Sequence, residues 1–336
     1  MSQVLEDAHV VLFPAFAGVT LSDSVQRFLS RGGCSILLGE TREEYVVREM
    51  SRIRKEKETA EDIHTVVAQA ASLSGNLITA VDQELGGICR LHGLVPAFPC
   101  REDLARCTAQ EIEIIAGDVA AAAKAMGVNC FLAPVLDCVV GENPWLQGRT
   151  WSTDPNKIGE LSSAFIRGVQ TMGVATTAKH FPGYSRIELD PAVESEARSR
   201  EPLETFESGL IPFAQAIENG VEMIMTGPAI VDVFDPVAPA SLSPAVISEL
   251  RVNLGFRGVV MSDDLDAEAT LRGRPITRVA VDALRAGSDF LLIADVGDQV
   301  GDIVSAIVNS VQSGELREER LHEAAERVRG VARKYA

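Results

Sequence analysis

Two adjacent carboxylates at the end of an apolar run are the side chains of this sequence best suited to chemistry. The run covers residues 258–265 and includes Asp263 and Asp264. Its apolar part predicts a buried strand, and a charge beside an apolar core costs free energy unless it is paired or used. Either acid could instead cap a following helix. We interpret at least one of the two as catalytic.

Two other apolar runs end in polar groups that suit the binding of hydroxyls. Lys179 and His180 stand side by side at the tip of one run, where an unpaired buried ammonium would be costly. Asp82 follows another run and precedes Gly86 and Gly87, which suit a tight turn close to a polar ligand. Combined with strand-end acids, Lys179 and His180 indicate a hydroxyl-binding pocket.

Arg149 lies on a glycine-bearing loop beside Trp151, after a fourth apolar run. A guanidinium offers a fixed fork of donors and an indole offers a flat platform, and both suit a sugar or a carboxylate. Arg149 could instead pair with Asp137 or Asp154. We expect that it contacts the ligand.

The elements that must position these residues are eight short apolar runs separated by segments with helical periodicity. This alternation predicts repeated βα units around a parallel sheet. Eight units indicate an α/β protein with a single-domain (β/α)8 TIM-type barrel over residues 1–336, in which catalytic groups follow the carboxyl ends of strands. The runs are 9–16, 34–39, 76–82, 130–136, 174–179, 222–226, 258–262 and 290–294.

A highly charged stretch at 41–58 follows the second run. Its apolar residues recur at roughly helical spacing, which predicts an extra helix on the face that carries the chemistry. A charged helix of this kind is more often a solvated face than a lid. We therefore interpret 41–58 as a helical insertion exposed to solvent.

Charge and cysteine content limit the partners and the compartment. The formal net charge is −17, so repulsion from phosphate disfavours nucleic acid and anionic membranes. Residues 1–25 show no signal-peptide pattern, and no apolar run reaches membrane-spanning length. The six cysteines lack paired C-x-x-C spacing, and the acids lack histidine pairs of ligand spacing. We expect a cytoplasmic protein with no metal and no other cofactor.

The motifs of this chain resemble those of the family 3 glycoside hydrolases, and most closely the single-domain bacterial β-N-acetylhexosaminidases. The resemblance extends over most of the chain. It is carried by Asp-Gln-Glu with Gly-Gly at 82–87, Gly-Arg at 148–149, Lys-His-Phe-Pro-Gly at 179–183, Ser-Leu-Ser at 241–243 and Ser-Asp-Asp-Leu at 262–265.

The resemblance implies a retaining hydrolase of β-linked N-acetylhexosaminides. The Asp directly after Ser262 would be the nucleophile, which assigns Asp263 to the covalent glycosyl-enzyme. Four further positions match residues that hold the sugar hydroxyls. They are Asp82, Arg149, Lys179 and His180.

The loop after Gly183 departs from the family pattern. It normally carries an Asp-Ser-His triplet whose His is the general acid/base, but here Asp190 is followed by Pro191 and Ala192. General acid catalysis typically contributes about 10²–10⁴-fold. Glu188 is the best substitute proton donor on this loop, and Asp190 is a weaker one.

Three hypotheses follow for the activity. The first is a working retaining glycosidase with a rewired acid/base. The second is an enzyme that forms the same intermediate and passes the sugar to another acceptor, as a transglycosidase or a phosphorylase does. The third is a catalytically degenerate sugar-binding protein. The presence of Asp263 argues against the third, because a protein that only binds has no use for a nucleophile.

Overall fold

Eight parallel strands form the centre of the molecule. The computed structural model describes residues 2–294, 297 and 299–336. The strands are β1 (Leu12–Ala17), β2 (Ser35–Gly39), β3 (Ile78–Val81), β4 (Cys130–Phe131), β5 (Ala175–Phe181), β6 (Met223–Thr226), β7 (Val259–Ser262) and β8 (Leu291–Ile293). Each pairs with its neighbour in sequence, and β8 pairs with β1. A bridge between Met261 and Phe290 joins the last two strands. The predicted single-domain (β/α)8 barrel is confirmed.

Each of the eight predicted runs overlaps one barrel strand, although the boundaries differ. The largest difference is in the fourth run, 130–136, of which only Cys130–Phe131 is a strand. At the start of the first run, His9 and Val10 belong to a helix, Gln3–Val10. The Ser2 side chain accepts the Leu5 N–H and caps this helix, and His9 Nδ1 lies 2.7 Å from the Leu5 carbonyl oxygen. Burial alone does not separate a buried helix end from a strand, and both residues are buried.

Helices surround the barrel and supply the outer layer that a parallel sheet requires. They are Gln3–Val10, Asp23–Ser30, Arg42–Val47, Arg52–Lys57, Ala60–Leu73, Arg101–Leu104, Ala109–Ala125, Pro155–Thr171, Leu203–Gly209, Ile211–Glu218, Pro244–Ser248, Glu268–Leu271, Ile276–Ala286, Val300–Gln312 and Glu318–Tyr335, with a 3₁₀ turn at Ala240–Leu242 and a π-helical turn at Glu249–Asn253. In the described ranges, no helix has the length and apolar character needed to cross a membrane.

The core fills both the barrel and the layer between strands and helices. All four residues of β3 are buried, as are all five of β2 and all seven of β5. Phe13 of β1 stacks on Phe290, with ring centroids 4.6 Å apart, so aromatic packing supports the closure of the barrel between its first and last strands. A rigid barrel of this kind fixes where each strand ends, and therefore where the groups that follow each strand lie.

Two smaller features lie outside the barrel. A three-stranded sheet forms from Arg198–Ser199, Ile230–Val231 and Asp235–Pro239. The charged stretch at 41–58 contains two short helices, Arg42–Val47 and Arg52–Lys57, where a single helix was predicted. Buried Glu44 accepts hydrogen bonds from the backbone N–H groups of Thr41 and Ser51 and from Arg54. These contacts fold the stretch into a compact unit.

Candidate active site

A cavity of about 900 Å³ opens at the carboxyl ends of the barrel strands. Residues on or directly after all eight strands line it, at the end of the barrel where this fold places catalytic groups. The charged and titratable members of the lining include Glu40, Arg42, Asp82, Arg149, Lys179, His180, Asp263 and Asp264. The strand-end residues singled out in the sequence thus meet in one place.

The backbone of β7 and its neighbours fixes the position of Asp263. The Asp263 N–H donates to the Thr226 carbonyl oxygen at 3.0 Å, and the Ser241 Oγ lies 3.3 Å from the same nitrogen. On the side chain, Oδ1 accepts the N–H of Asp264 at 2.8 Å. Within the described part of the chain, Oδ2 is buried and has no hydrogen-bond partner. One carboxylate oxygen is therefore anchored, and the other is left without a hydrogen-bond donor from the described residues.

The electrostatic surroundings keep Asp263 ionised at neutral pH. Burial raises the pKa of Asp263 to about 6, while the Asp264 N–H and the cations Arg149 and Lys179 oppose that rise. The carboxyl is therefore mostly a carboxylate at pH 7. A carboxylate with one unpartnered oxygen in a cavity is a competent nucleophile.

His180 lies beside this carboxylate as a neutral ring. Its Nδ1 is 2.8 Å from Asp137 Oδ2, and Asp137 also accepts the backbone N–H groups of His180 and Tyr184. Burial and the charges of Arg149 and Lys179 hold the pKa of His180 well below its usual value. Arg149 Nη2 lies 3.3 Å from His180 Nε2.

These contacts assign the tautomer of His180. An arginine only donates, so Nε2 must be the acceptor and Nδ1–H must donate to Asp137. Nε2 lies 3.9 Å from Asp263 Oδ2, and without a proton it cannot donate to that oxygen. The tautomer therefore leaves the free oxygen of Asp263 without a donor from His180, and the Nε2 lone pair accepts the Arg149 N–H.

A buried ionic network forms the floor of the cavity. Lys179 Nζ contacts both Asp82 Oδ1 and Glu84 Oε1, the second at 2.8 Å. Arg149 grips Glu84 with two nitrogens, Nη2 to Oε1 at 2.6 Å and Nε to Oε2 at 3.2 Å. Burial opposes ionisation of Glu84, but Arg149 and Lys179 hold its pKa at about 2. Two cations and two anions thus balance each other below the cavity.

The turn after β3 brings Glu84 into this network. Gly86 has a φ of +84°, and a Cβ on Gly87 would lie 2.1 Å from Glu84 Oε2. The Ile88 N–H donates to the same oxygen at 2.9 Å. The two glycines therefore form the predicted tight turn. They allow the chain to fold around the Glu84 side chain, which was not among the predicted site residues.

Arg149 pairs with Glu84, so the alternative partners Asp137 and Asp154 were both wrong. The indole beside it is also different from the one expected. Trp145 lies with its ring centroid 4.4 Å from that of His180 and 5.9 Å from the Arg149 guanidinium carbon, whereas Trp151 packs beside Gly86. Arg149 still lines the cavity.

The charged stretch at 41–58 contributes part of the cavity wall. Thr41, Arg42 and Tyr45 all line the cavity. The Tyr45 hydroxyl accepts the Trp145 Nε1–H at 3.1 Å and lies 3.5 Å from Arg149 Nη1. The interpretation of this stretch as a solvated face is therefore wrong for its first helix.

The two predicted loop acids lie outside the cavity lining. The Glu188 side chain is 63% exposed, with its nearest ion-pair partner, Arg200, at 3.9 Å. Asp190 Oδ1 accepts the Ala192 N–H at 2.9 Å, and its Oδ2 lies 3.8 Å from Arg48 Nη2. The structure thus brings together Asp82, Arg149, Lys179, His180 and Asp263 but not the two loop acids.

Ala192 lines the cavity on the side where the resemblance expects a histidine. Arg42 Nη2 donates to the Ala192 carbonyl oxygen at 2.7 Å. The loop therefore reaches the cavity, but there it presents a methyl group and a carbonyl that a cation already binds.

Glu40 is a cavity residue that sequence reasoning missed. It follows β2 directly, and its Oε1 is buried with no hydrogen-bond partner among the described residues. Burial and then the neighbouring Asp82 raise the pKa of Glu40 to about 8, so the carboxyl is protonated at neutral pH. The rule that catalytic groups follow strand ends would have found it, since it is the first residue after an apolar run.

The (β/α)8 barrel carries carboxyl groups in a cavity at the carboxyl ends of its strands, which is an arrangement that glycoside hydrolases use. The model of the glycosyl hydrolase family 3 N terminal domain matches residues 16–331. The chain belongs to this family, as its motifs predicted.

Curated relatives support the same activity class. The chain is 33% identical to a beta-hexosaminidase of Nitrosomonas eutropha over 242 residues, which are 69% of this chain and 68% of the relative. It is 34% identical to a beta-hexosaminidase of Xylella fastidiosa over 241 residues, 69% of this chain and 70% of the relative. The protein is therefore a glycoside hydrolase of the beta-hexosaminidase-like type.

Solved structures share the fold. A family 3 beta-N-acetylglucosaminidase from Paenibacillus superposes with a TM-score of 0.89 at 24% identity, over 100% of this chain and 63% of that one. A beta-N-acetylhexosaminidase from Beutenbergia cavernae superposes with a TM-score of 0.87 at 23% identity, over 99% of both chains. This chain thus spans somewhat less than two thirds of the Paenibacillus protein.

Proposed function

We propose that this protein is a retaining hydrolase of β-linked N-acetylhexosaminides that acts through a covalent intermediate on Asp263. The observation that carries the proposal is the free Oδ2 of Asp263, which is buried in the cavity without a partner among the described residues. In the first step this oxygen bonds to the anomeric carbon as the bond to the leaving oxygen breaks. In the second, water replaces Asp263 and releases the sugar.

The floor of the cavity supplies groups for the sugar hydroxyls. Asp82 offers the carboxylate oxygen that Lys179 does not occupy, and the Nε2 lone pair of His180 accepts an N–H of Arg149 and so helps to orient that guanidinium. Lys179 and Arg149 provide fixed donors because Glu84 holds both in place. A pre-formed set of this kind binds the sugar without having to reorganise.

The N-acetylhexosamine preference comes from the family relationship. Beta-hexosaminidases are named among the relatives at 33–34% identity, and the cavity volume of about 900 Å³ is large enough for a sugar with its acetamido group. The partner is therefore a small carbohydrate or glycoside. The six cysteines, all in described residues, are free thiols, which supports a reducing, cytoplasmic location.

The proposed reaction also needs a source for the proton that the leaving group takes. Glu188 and Asp190 stay predictions for this role, and neither side chain lines the cavity. A cavity group that carries a proton would meet the need without movement of the loop.

The test of the proposed function is hydrolysis of aryl β-N-acetylglucosaminides by the wild type and by Asp263→Asn. We expect the substitution to lower kcat/KM on the order of 10⁴-fold or more, because the amide cannot form the intermediate. A 5-fluoro glycosyl fluoride of the sugar should label the wild type on the peptide that contains Asp263, as read by mass spectrometry. The first product seen by NMR should be the β anomer.

Other outcomes would select a different function. Initial release of the α anomer would replace the retaining mechanism with an inverting one. A labelled Asp263 that hydrolyses slowly, and is discharged by an added sugar or by phosphate, would identify a transglycosidase or a phosphorylase. Sugar binding with neither turnover nor label would identify a degenerate binding protein.

A further inference from the structure

A second carboxyl lies inside the cavity beside the proposed nucleophile. We propose that Asp264 is the general acid/base of the reaction. Its carboxyl delivers a proton to the glycosidic oxygen in the first step and takes a proton from water in the second. This inference rests on the proposed function, in which Asp263 carries the sugar. It assigns the role left empty by the alanine at position 192.

The backbone places Asp264 against the reacting centre. Its N–H donates to Asp263 Oδ1 at 2.8 Å, and its carbonyl oxygen accepts the Ala267 N–H at 3.2 Å. Both residues line the cavity. Consecutive Cα atoms lie about 3.8 Å apart, and the carboxyls of a retaining pair are typically about 5–5.5 Å apart. Side chains on adjacent residues can therefore span the distance that the mechanism needs.

The Asp264 carboxyl has no competing task. Within the part of the chain that the structure describes, it forms no side-chain hydrogen bond and no ion pair within 4 Å. On the floor, Asp82 contacts Lys179, and Glu84 contacts both Lys179 and Arg149. Glu40 has an unpartnered oxygen among the described residues, but it follows β2 rather than the proposed nucleophile. A proton donor must be free to approach the leaving oxygen, and Asp264 meets this condition.

The charges around Asp264 favour its protonated form in the free enzyme. Burial raises its pKa well above the usual range, and the neighbouring carboxylates Asp263, Asp266 and Asp82 add to the rise. Arg42, on the helix after β2, is the cation that opposes them. A general acid must carry its proton at the working pH, and these neighbours keep the proton in place.

The same charges reverse the role of Asp264 during the reaction. When the Asp263 oxygen bonds to the anomeric carbon, its negative charge is lost, and with it the strongest charge that holds the proton on Asp264. The Asp264 pKa then falls, just after its proton has moved to the leaving oxygen. The resulting carboxylate can take a proton from water as the water oxygen bonds to the anomeric carbon and the bond to Asp263 breaks. Both residues return to their starting states.

The experiment compares Asp264→Ala and Asp264→Asn with the wild type on 2,4-dinitrophenyl and phenyl β-N-acetylglucosaminides. For the phenyl substrate we expect kcat/KM to fall by about 10²–10⁴-fold. For the dinitrophenyl substrate kcat/KM should change far less, because that leaving group needs no proton. A burst of dinitrophenol followed by slow turnover should appear, since the second step lacks its base.

Azide provides a readout that a merely structural defect would not produce. With Asp264→Ala, azide should restore turnover of the dinitrophenyl substrate and yield the β-glycosyl azide, because the small anion attacks without a base. Glu188→Gln tests the alternative proton donor on the loop. Glu61→Gln removes an exposed carboxyl from the helix Ala60–Leu73 and is the matched control, for which wild-type rates are expected on both substrates.

The outcomes separate this inference from the proposed function. If the wild type turns over and labels on Asp263, but Asp264→Ala treats both substrates alike and gives no glycosyl azide, then Asp264 is not the acid/base and the glycosidase assignment stands. The acid/base role also passes from Asp264 if Glu188→Gln shows the leaving-group signature instead. If the wild type neither turns over nor labels, the proposed function itself is wrong.

Discussion

The floor of the cavity and the loop at 184–200 differ in how they hold their acids. On the floor, Glu84 is completely buried and bound by Arg149 and Lys179. On the loop, Glu188 is 63% exposed and lies 3.9 Å from a similarly exposed arginine. The barrel therefore fixes the groups that would hold the sugar, whereas the loop carries solvated charge.

The largest effect that tests this difference is on stability. Glu84→Gln leaves two buried cations without half of their counter-charge, and breaking a buried ion pair costs about 3 kcal/mol or more. The free energy of unfolding, measured in urea, should fall by that amount. Glu188→Gln, which also removes one carboxylate, should change it by less than about 0.5 kcal/mol because an exposed pair contributes little.

Equal effects of the two variants would contradict the comparison. If Glu84→Gln were as stable as the wild type, the floor would not depend on its ionic network. If Glu188→Gln were strongly destabilising, the loop would carry a structural role that its exposed position does not suggest. Circular dichroism at several urea concentrations gives both the midpoint and the slope, so a change in the unfolded state is visible as a change in slope.

The pH dependence of kcat/KM tests whether the charged groups of the floor or those of the loop set the pKa of Asp263. Because burial raises the pKa of Asp263 to about 6, the nucleophile is lost to protonation as the pH falls below that value. With the dinitrophenyl substrate, which needs no acid, kcat/KM should therefore fall about tenfold for each pH unit below the pKa. Asp190→Asn should leave this acid limb in place, whereas Lys179→Met should move it to higher pH by removing a cation that opposes the rise. If the low-pH fall of kcat/KM shifted with Asp190→Asn and not with Lys179→Met, the pKa of Asp263 would depend on the loop rather than on the floor of the cavity.

The sequence predicted the parts of the site that depend on strand ends. Lys179 and Asp263 follow from local patterns, because an apolar run defines a strand and its last residues reach the cavity wherever the barrel closes. Tyr45 could not be found this way. It belongs to a charged stretch that has the composition of a solvated helix, and its partner Trp145 is 100 residues distant in the chain. Contacts of that kind depend on tertiary packing between distant segments, so no local periodicity in the sequence predicts them.

The loop is the opposite case. Glu188 is predicted as a proton donor because it is close in sequence to the position where the family pattern has its acid/base. Proximity along a chain does not fix the direction of a side chain, however, and in an irregular loop no period constrains it. Asp264 was visible from the start as half of the acid pair, but helix capping was an equally local explanation for one of the two residues. Among the described residues, its side chain forms no capping hydrogen bond to the helix Glu268–Leu271.

Glu40 gives the smallest expected effect and the finest test of the floor. Its carboxyl is neutral at pH 7 because burial and Asp82 raise its pKa to about 8, against the opposing charges of Arg90 and Lys179. Glu40→Gln, which keeps a neutral donor and acceptor, should change KM at pH 7 by no more than about threefold. At pH 9 the wild-type carboxyl is ionised next to Asp82, so the ratio of wild-type to Glu40→Gln KM should rise from its value at pH 7.

Glu40→Ala is the control that separates hydrogen bonding from charge. It removes the group altogether, and the loss of a hydrogen bond worth about 1 kcal/mol should make its KM roughly fivefold higher than that of Glu40→Gln at both pH values. If the ratio of wild-type to Glu40→Gln KM were the same at pH 7 and pH 9, the proton on Glu40 would have no part in binding. A ratio that rises with pH would instead show that Glu40 contributes to ligand binding as a neutral carboxyl. Burial and the neighbouring Asp82 keep that carboxyl protonated. The barrel would then determine the protonation state of Glu40 as well as its position.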